Sequence, residues 1–141
     1  MNCDLTKLKA RELMNASVQW AEPDENLRAA GEHMARSGIR TLLVHPKSPS
    51  DLPGIISSKD IVNLIGSHDI NVLDQLLVSD AATHPAICVP ETANILDCIN
   101  LMRMCSVRRV PVLQGTQVVG ILSLSDVFKE LLSVRDGAAS T

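Results

Sequence analysis

The sequence predicts a mixed α/β (α+β) fold that consists of two copies of one β-α-β-β-α repeat. The first observation is a pattern of Gly, two apolar residues, Ser, two further residues, Asp and two apolar residues, which occurs at 54–62 and again at 120–128. The second is a helical apolar pattern upstream of each copy, which opens at Asp24 and again 68 positions (92 − 24) later at Thr92. Because self-similarity at a fixed spacing is the signature of a duplicated unit, we expect both halves of the chain to fold alike.

The spacing between the copies falls from 68 to 66 positions (120 − 54) across segment 45–53, which is rich in Pro and Ser. Loops tolerate such changes in length. A unit of about 55 residues buries little surface alone, so we expect the repeats to pack as one pseudo-two-fold module. The predicted division of the 141 residues is an N-terminal extension (1–9), repeat 1 (10–65), a linker (66–77), repeat 2 (78–133) and a C-terminal tail (134–141).

In repeat 1, Asp24 is placed to cap a helix, because a short polar side chain before an apolar pattern can accept a hydrogen bond from a free backbone N–H. Gly38 is placed to end this helix. Its predicted apolar face consists of Leu27, Ala30 and Met34. The apolar runs 41–44 and 54–56 predict strands, and the Ser-x-x-Asp segment then begins a second helix over 58–65.

Repeat 2 follows the same order. Thr92 is the predicted cap of its first helix, the runs 110–113 and 118–122 predict strands, and the second helix is predicted over 125–132. The predicted core positions of this repeat are Ile95, Cys98, Met102, Met104 and Cys105, and Met14 is also expected in the core.

Composition excludes several kinds of binding. Hydrophobic residues make up 45 %, but there is one Trp, one Phe and no Tyr, so the core must be aliphatic and a base-stacking platform for single-stranded nucleic acid is disfavoured. A net charge of −3 also disfavours a nucleic-acid partner. No apolar run approaches the roughly 20 residues that span a bilayer. With no basic and apolar signal segment after Met1, we expect a cytoplasmic protein with no membrane partner.

Cysteine and histidine show no metal-ligand spacing. The four Cys form no CxxC pair, and the four His are scattered, so no metal site is predicted. No nucleophile–base motif is visible, and a P-loop is excluded because no Lys stands in a Gly-rich loop. We therefore expect that the chain is not an enzyme and requires no cofactor.

The two Gly-h-h-Ser-x-x-Asp patterns, at matched distances from two matched helices, resemble the CBS domain, named after cystathionine β-synthase, whose tandem pairs form the Bateman module. The resemblance covers residues 10–133. Segment 119–127 is also similar to the last repeat of the γ subunit of AMP-activated protein kinase. Repeat 1 departs from repeat 2 at two strand positions, with Thr41 in place of Arg109 and Leu43 in place of Pro111.

The Ser-x-x-Asp segments have a chemistry of their own. Ser57 and Asp60, like Ser123 and Asp126, stand at the start of a helix, where free backbone N–H groups and the helix dipole favour an anion. A carboxylate can accept two hydrogen bonds from a vicinal diol, and Ser can donate to a phosphate or ribose oxygen. The segments therefore suit a ribonucleotide, although the same residues also form an ordinary helix cap.

The resemblance implies a regulatory module that senses an adenine ribonucleotide (AMP, ADP, ATP or S-adenosylmethionine) in a cleft between the repeats. It implies that Ser123 and Asp126 act with residues of the other repeat's early segments, namely Asn15, Ser17, Val18, Gln19, Ile39 and Arg40. For Ser57 and Asp60 the implied partners are Thr83, Pro85, Ile87, Val107 and Arg108. Arg40, Arg108 and Arg109 are implied to reach phosphate groups. The Ser123 site is the stronger candidate, since repeat 2 matches the pattern more closely.

The resemblance also implies a homodimer that regulates a further protein. An apolar helix face of Val127, Leu131 and Val134 could supply the interface. The alternative hypothesis is an interaction module without a ligand, in which the Ser/Asp pairs cap helices and the fold serves as a dimerising adaptor.

Overall fold

The computed structural model describes residues 4–140, with side chains for residues 4–133. The chain forms two compact units. Residues 18–86 form one, called here the Ser57 unit, and residues 4–17 with 87–140 form the other, the Ser123 unit. Each contains a three-stranded sheet with helices, which confirms the predicted α+β fold with two similar halves.

In the Ser57 unit, the sheet order is β1-β2-β3, with β1 parallel and β3 antiparallel to β2. The strands are β1 (Trp20–Ala21), β2 (Thr41–Val44) and β3 (Gly54–Ser57), and the helices are α2 (Leu27–Ser37), α3 (Ser58–Ser67), α4 (Val72–Gln75) and α5 (Val78–Ala81). Alternate strand residues point to one face of a sheet. One face supplies Leu42, Val44 and Ile56 to an aliphatic core that also holds Leu27, Ala30 and Met34 of α2.

The Ser123 unit repeats this arrangement, with sheet order β4-β5-β6. Its elements are α1 (Ala10–Leu13), β4 (Val89–Pro90), α6 (Ile95–Cys105), β5 (Arg109–Gln114), β6 (Gln117–Ser123) and α7 (Leu124–Ser140). Its core combines one face of the sheet with α6, α7 and α1, through Val110, Val112, Leu122, Ile95, Cys98, Met102, Val127 and Ala10. Helix α1 stands at the start of repeat 1 in the sequence but belongs to the Ser123 unit, so the compact units do not coincide with the sequence repeats.

The first long helix of each unit begins at an asparagine. Asn26 Oδ1 accepts a hydrogen bond from the Ala29 N–H (2.9 Å), and Asn94 Oδ1 accepts one from the Asp97 N–H (2.8 Å). The prediction of Asp24 and Thr92 as caps is therefore wrong. Both lie in the preceding turn, two residues before the position from which a side chain reaches the free N–H groups.

Most predicted core positions are buried, but two on α6 are not. Met104 is 83 % exposed, because the core face of α6 passes through Cys98 and Met102 and residue 104 lies about 200° around the helix from residue 102. Cys105 is also exposed, as the last residue of α6 before Ser106, which adopts the left-handed conformation (φ 56°).

The predicted interface face on α7 is also corrected. Val127 is buried in the core of the Ser123 unit and Leu131 packs against that core, so neither forms an outer face. The Val134 side chain lies outside the described residues. Among the α7 side chains that the structure describes, the exposed large apolar ones are Phe128 and Leu132, one helical turn apart.

The predicted linker contains structure of its own. Helix α4 buries Val72, and Leu73 and Leu76 pack against the core of the Ser57 unit. Arg28 of α2 binds the Asp74 carboxylate with two hydrogen bonds, Nε to Oδ1 (2.6 Å) and Nη2 to Oδ2 (2.8 Å). The Arg28 guanidinium lowers the pKa of Asp74, chiefly through these hydrogen bonds.

Trp20 stacks on His45 in the Ser57 unit, with ring centroids 4.2 Å apart and planes inclined by 10°. Across the described part of the chain, no helix combines the length and apolarity that crossing a membrane requires.

Candidate functional site

The Ser123 unit places a Ser and an Asp at the junction of β6 and α7. Strand β6 ends at Ser123. The Ser123 Oγ accepts a hydrogen bond from the Asp126 backbone N–H (3.0 Å). The Asp126 carboxylate is half-buried and has no hydrogen-bond or ion-pair partner among the described residues. The junction therefore presents an unused acceptor beside a helix N-terminus.

Two arginines border this junction. Arg109 lies opposite Ser123 in the β5–β6 register, and side chains of directly opposed residues share one face of a sheet. The Arg108 carbonyl accepts a hydrogen bond from the Leu124 N–H (3.0 Å), the first residue of α7. Neither guanidinium has a hydrogen bond or ion pair within the described part of the chain. Arg109 thus brings an unpaired positive charge to the Ser123 face.

Asn15 lies at the outer edge of the same sheet. Its backbone N–H and carbonyl form two hydrogen bonds with Ile121 (2.9 and 3.0 Å), two residues before Ser123. Its Oδ1 accepts a hydrogen bond from the Ser17 N–H (2.9 Å). The predicted site residues Asn15, Ser17, Arg108, Arg109, Ser123 and Asp126 thus all fall in this one unit.

The Ser57 unit has the same backbone arrangement. Thr83 forms two backbone hydrogen bonds with Ile55 (3.0 and 2.9 Å), as Asn15 does with Ile121. The Ser58 N–H donates to the Arg40 carbonyl (2.9 Å), as Leu124 does to Arg108. In each unit, a segment of the chain pairs with the strand that ends at the Ser, through Asn15 or Thr83, and is called here the edge segment. The helix that follows the Ser begins beside the backbone carbonyl of an arginine.

The Asp of the Ser57 unit is bonded differently. Asp60 Oδ2 accepts hydrogen bonds from the Ser57 backbone N–H (2.8 Å) and from the Ser57 hydroxyl (3.0 Å). Ser57 Oγ in turn accepts from the Asp60 N–H (3.2 Å), which completes a capping box. This difference could not be read from two identical Ser-x-x-Asp patterns.

Thr41 occupies the position in the Ser57 unit that Arg109 has in the other. It lies opposite Ser57 in the β2–β3 register, and its Oγ1 is the buried side-chain polar atom that lacks a hydrogen-bond partner among those described. The sequence comparison of the repeats marks this position as a departure, but it gives no sign of the unpaired hydroxyl.

The remaining predicted site residues are divided between the units. Gln19 Oε1 lies 2.6 Å from His33 Nε2 and accepts a hydrogen bond from the Ser37 hydroxyl (3.1 Å), so its amide is engaged by α2. The half-buried aliphatic residues are Val18 and Ile39 in the Ser57 unit, and Ile87 and Val107 in the Ser123 unit. Pro85 is exposed. Their roles toward a ligand stay predictions of the resemblance.

No group of three or more His, Cys, Asp or Glu side chains in the described region could hold a metal ion. Of the thiols, Cys98 lies in the core of the Ser123 unit. Burial raises its pKa, as it does that of Cys88, and so favours the protonated thiol over the reactive thiolate.

The duplicated α+β unit with a capped Ser-x-x-Asp helix defines a tandem-repeat module. The CBS domain model matches the chain twice, over residues 10–67 and 78–133. The chain therefore belongs to the CBS domain family.

Two curated bacterial proteins are similar over most of their length. Hypoxic response protein 1 of Mycobacterium tuberculosis is 31 % identical over 124 residues, which cover 86 % of this chain and 84 % of that protein. The uncharacterized protein YlbB of Bacillus subtilis is 27 % identical over 136 residues, covering 96 % and 89 %.

Solved structures share the fold. The hexameric CBS-CP12 protein of bloom-forming cyanobacteria superposes with a TM-score of 0.80 at 24 % identity, covering 94 % of this chain and 81 % of that one. CBSX2 in complex with AMP gives a TM-score of 0.75 at 20 % identity, with coverage of 91 % and 98 %. The CBS domain pair of MJ0100, solved with 5′-methylthioadenosine and S-adenosyl-L-methionine, gives 0.76 at 18 %, with coverage of 89 % and 96 %.

Proposed function

We propose that this chain is a regulatory module that binds an adenine ribonucleotide at the junction of β6 and α7. The observation that carries the proposal is the Asp126 carboxylate, which is half-buried at a helix N-terminus and has no partner among the described residues. A half-buried acceptor that the fold leaves unused is suited to a donor from a ligand.

The neighbouring groups suit the parts of a ribonucleotide. Asp126 would accept hydrogen bonds from the two ribose hydroxyls, because a carboxylate offers two acceptor oxygens. The first N–H groups of α7 and the Arg109 guanidinium would face the phosphate, since both favour negative charge. With one Trp and one Phe in the chain, the base would lie against aliphatic side chains, and affinity would depend on ribose and phosphate.

The choice of adenine rests on proteins of the same fold. CBSX2 has been solved with AMP, and the MJ0100 pair with two adenosine-containing ligands. At 20 % and 18 % identity, the similarity to these proteins extends to the fold only. The binding residues are therefore argued from this chain alone. In this proposal the module passes its signal to another protein, and no catalytic step is part of the proposal. The proposal includes a cytoplasmic location, which cell fractionation tests.

Calorimetry with AMP, ADP, ATP and S-adenosylmethionine tests the proposal. We expect binding of at least one of them, with adenine alone binding far more weakly. Asp126→Asn should weaken the binding roughly 10–100-fold, because it removes a charged acceptor while leaving the backbone cap to Ser123 in place. The absence of heat and of any thermal shift at millimolar concentrations of all four ligands would refute the proposal.

Asp97→Asn is the matched control for Asp126→Asn. Asp97 lies exposed in the first turn of α6, in the same unit. Its substitution by Asn therefore removes the same charge at a comparable helix position. We expect it to leave nucleotide affinity unchanged. An equal loss in both variants would point to net charge, and not to the ribose contact, as the cause.

The alternative hypothesis of a dimerising adaptor is supported by two exposed apolar side chains on α7. Phe128 and Leu132 are 61 % and 41 % exposed and lie one turn apart on α7, where they form an apolar strip. Such a strip suits a second copy of this chain, as expected for a homodimer. Sedimentation of the Phe128→Ser variant against the wild type tests dimer formation independently of ligand binding.

A further inference from the structure

The two Ser-x-x-Asp segments share a sequence pattern but differ in their hydrogen bonds. We propose that ribonucleotide binding is confined to the Ser123 unit, and that Ser57 and Asp60 serve as a helix cap without a ligand. The inference rests on the proposed function and sharpens it to one nucleotide per chain.

In the Ser57 unit, the polar groups of Ser57 and Asp60 form hydrogen bonds with each other. The backbone N–H and the hydroxyl of Ser57 both donate to Asp60 Oδ2 (2.8 and 3.0 Å), and the same hydroxyl oxygen accepts from the Asp60 N–H (3.2 Å). A ribose diol would have to displace both donors from the carboxylate. Because those donors are themselves half-buried, the exchange would leave polar groups unpaired and yield little net binding free energy.

In the Ser123 unit, the carboxylate of Asp126 accepts no hydrogen bond from a described residue. The Asp126 N–H donates to Ser123 Oγ (3.0 Å), as in the other unit. Neither the backbone N–H nor the hydroxyl proton of Ser123 is bonded to the Asp126 carboxylate, which has no partner within the described residues. A ribose diol could bind this carboxylate without breaking a hydrogen bond to any described residue.

Charge separates the two units further. Arg109 lies opposite Ser123, and its guanidinium has no ion pair or hydrogen bond in the described part of the chain. Thr41 stands at the equivalent place opposite Ser57 and carries no charge. A phosphate group at the start of α7 would thus meet a cation from the neighbouring strand, while one at the start of α3 would not. Arg109 is thereby the residue that sets the preference for a phosphorylated ligand.

Calorimetry of the full chain with AMP and with adenosine tests the inference. We expect one AMP per chain. Arg109→Thr, which places the repeat 1 residue in repeat 2, should weaken AMP binding about tenfold and leave adenosine binding within about twofold, because the guanidinium addresses only the phosphate. A role in folding alone would weaken both ligands equally, and that result would overturn the assignment of Arg109.

Paired variants at the two aspartates decide between the units. Asp126→Asn should weaken AMP binding roughly 10–100-fold, while Asp60→Asn should keep wild-type affinity within about twofold and still bind one AMP. Two AMP molecules per chain, or a loss of affinity in Asp60→Asn alone, would overturn the confinement while leaving the proposed function intact. No AMP binding by the wild type, together with none by the other three ligands, would instead remove the proposed function.

Discussion

Gly54 and Gly120 lie where another segment of the chain approaches the backbone closely. A Cβ on Gly120 would lie 2.6 Å from Met14 Sδ and 3.0 Å from the Asn15 carbonyl oxygen. A Cβ on Gly54 would lie 2.8 Å from His84 Nδ1 and 3.1 Å from the Thr83 carbonyl oxygen. The glycine that opens each Gly-h-h-Ser pattern is therefore required by the chain segment that lies beside it, a requirement that the pattern alone does not show.

We expect Gly120→Ala to destabilise the protein by about 1–3 kcal/mol, because Met14 can rotate away but the Asn15 backbone must shift. Urea unfolding measures the change. Gly31→Ala is the control, since nothing lies within 4 Å of a Cβ there and the residue is inside α2. The free energy of unfolding of Gly31→Ala should be higher than that of the wild type by about 0.5–1 kcal/mol. Equal stability of Gly120→Ala and wild type would show that the edge segment adapts freely.

At the scale of the element, α4 shows how a short helix is held in a segment predicted as a linker. A four-residue helix is not stable alone, so its position depends on the packing of Val72 and on the two hydrogen bonds from Arg28 of α2 to Asp74. The sequence pattern missed it because four residues are too few to show a helical period.

The Arg28–Asp74 pair gives an expected pH dependence. The Arg28 guanidinium lowers the folded-state pKa of Asp74, so the pair stabilises the fold above the unfolded-state pKa of about 3.9 and this contribution is lost as the pH falls through the lower folded value. The stability difference between wild type and Asp74→Asn should therefore be constant near neutral pH and shrink only below about pH 4. Urea unfolding across pH measures it. A difference that persists unchanged in acid would contradict the charge-based cause.

At the scale of the whole molecule, the Ser123 unit needs residues from the start of the chain. The first N–H groups of α6 donate to this segment, Ile95 to the Leu8 carbonyl (2.8 Å) and Leu96 to the Leu5 carbonyl (3.1 Å). Ala10 is fully buried in the core of the unit. Repeat 2 as read from the sequence lacks all of these contacts.

A fragment of residues 78–133 should therefore show little helical circular dichroism by itself. Addition of a peptide of residues 4–17 should restore helical signal, because it supplies the acceptors for α6 and part of the core. A peptide of the same composition in scrambled order is the control. Cooperative unfolding of the fragment alone, at wild-type stability, would contradict the dependence.

Local pattern was sufficient for the helix faces through Leu27 and Met102 and for strands β2, β3, β5 and β6, because neighbouring residues show their apolar runs. It did not locate β1 and β4, which are two residues long. It was insufficient wherever distant segments decide. Asp24 and Asn26 can both cap a helix, and the cap is Asn26, which also pairs with the distant Leu77. The pairing of Asn15 with Ile121 joins residues that are far apart in the chain, and no period reveals it. The Ser and Asp positions were predictable, but the different bonding of Asp60 and Asp126 was not.

The stacking of Trp20 on His45 has a spectroscopic consequence. Trp20 is the only tryptophan, and the chain contains no tyrosine, so intrinsic fluorescence originates almost entirely in the Ser57 unit. Emission should follow the melting of that unit alone, while circular dichroism reports the helices of both. Coincident melting curves would indicate that the two units unfold as one cooperative system, and separated curves would resolve the stability of each without any added label.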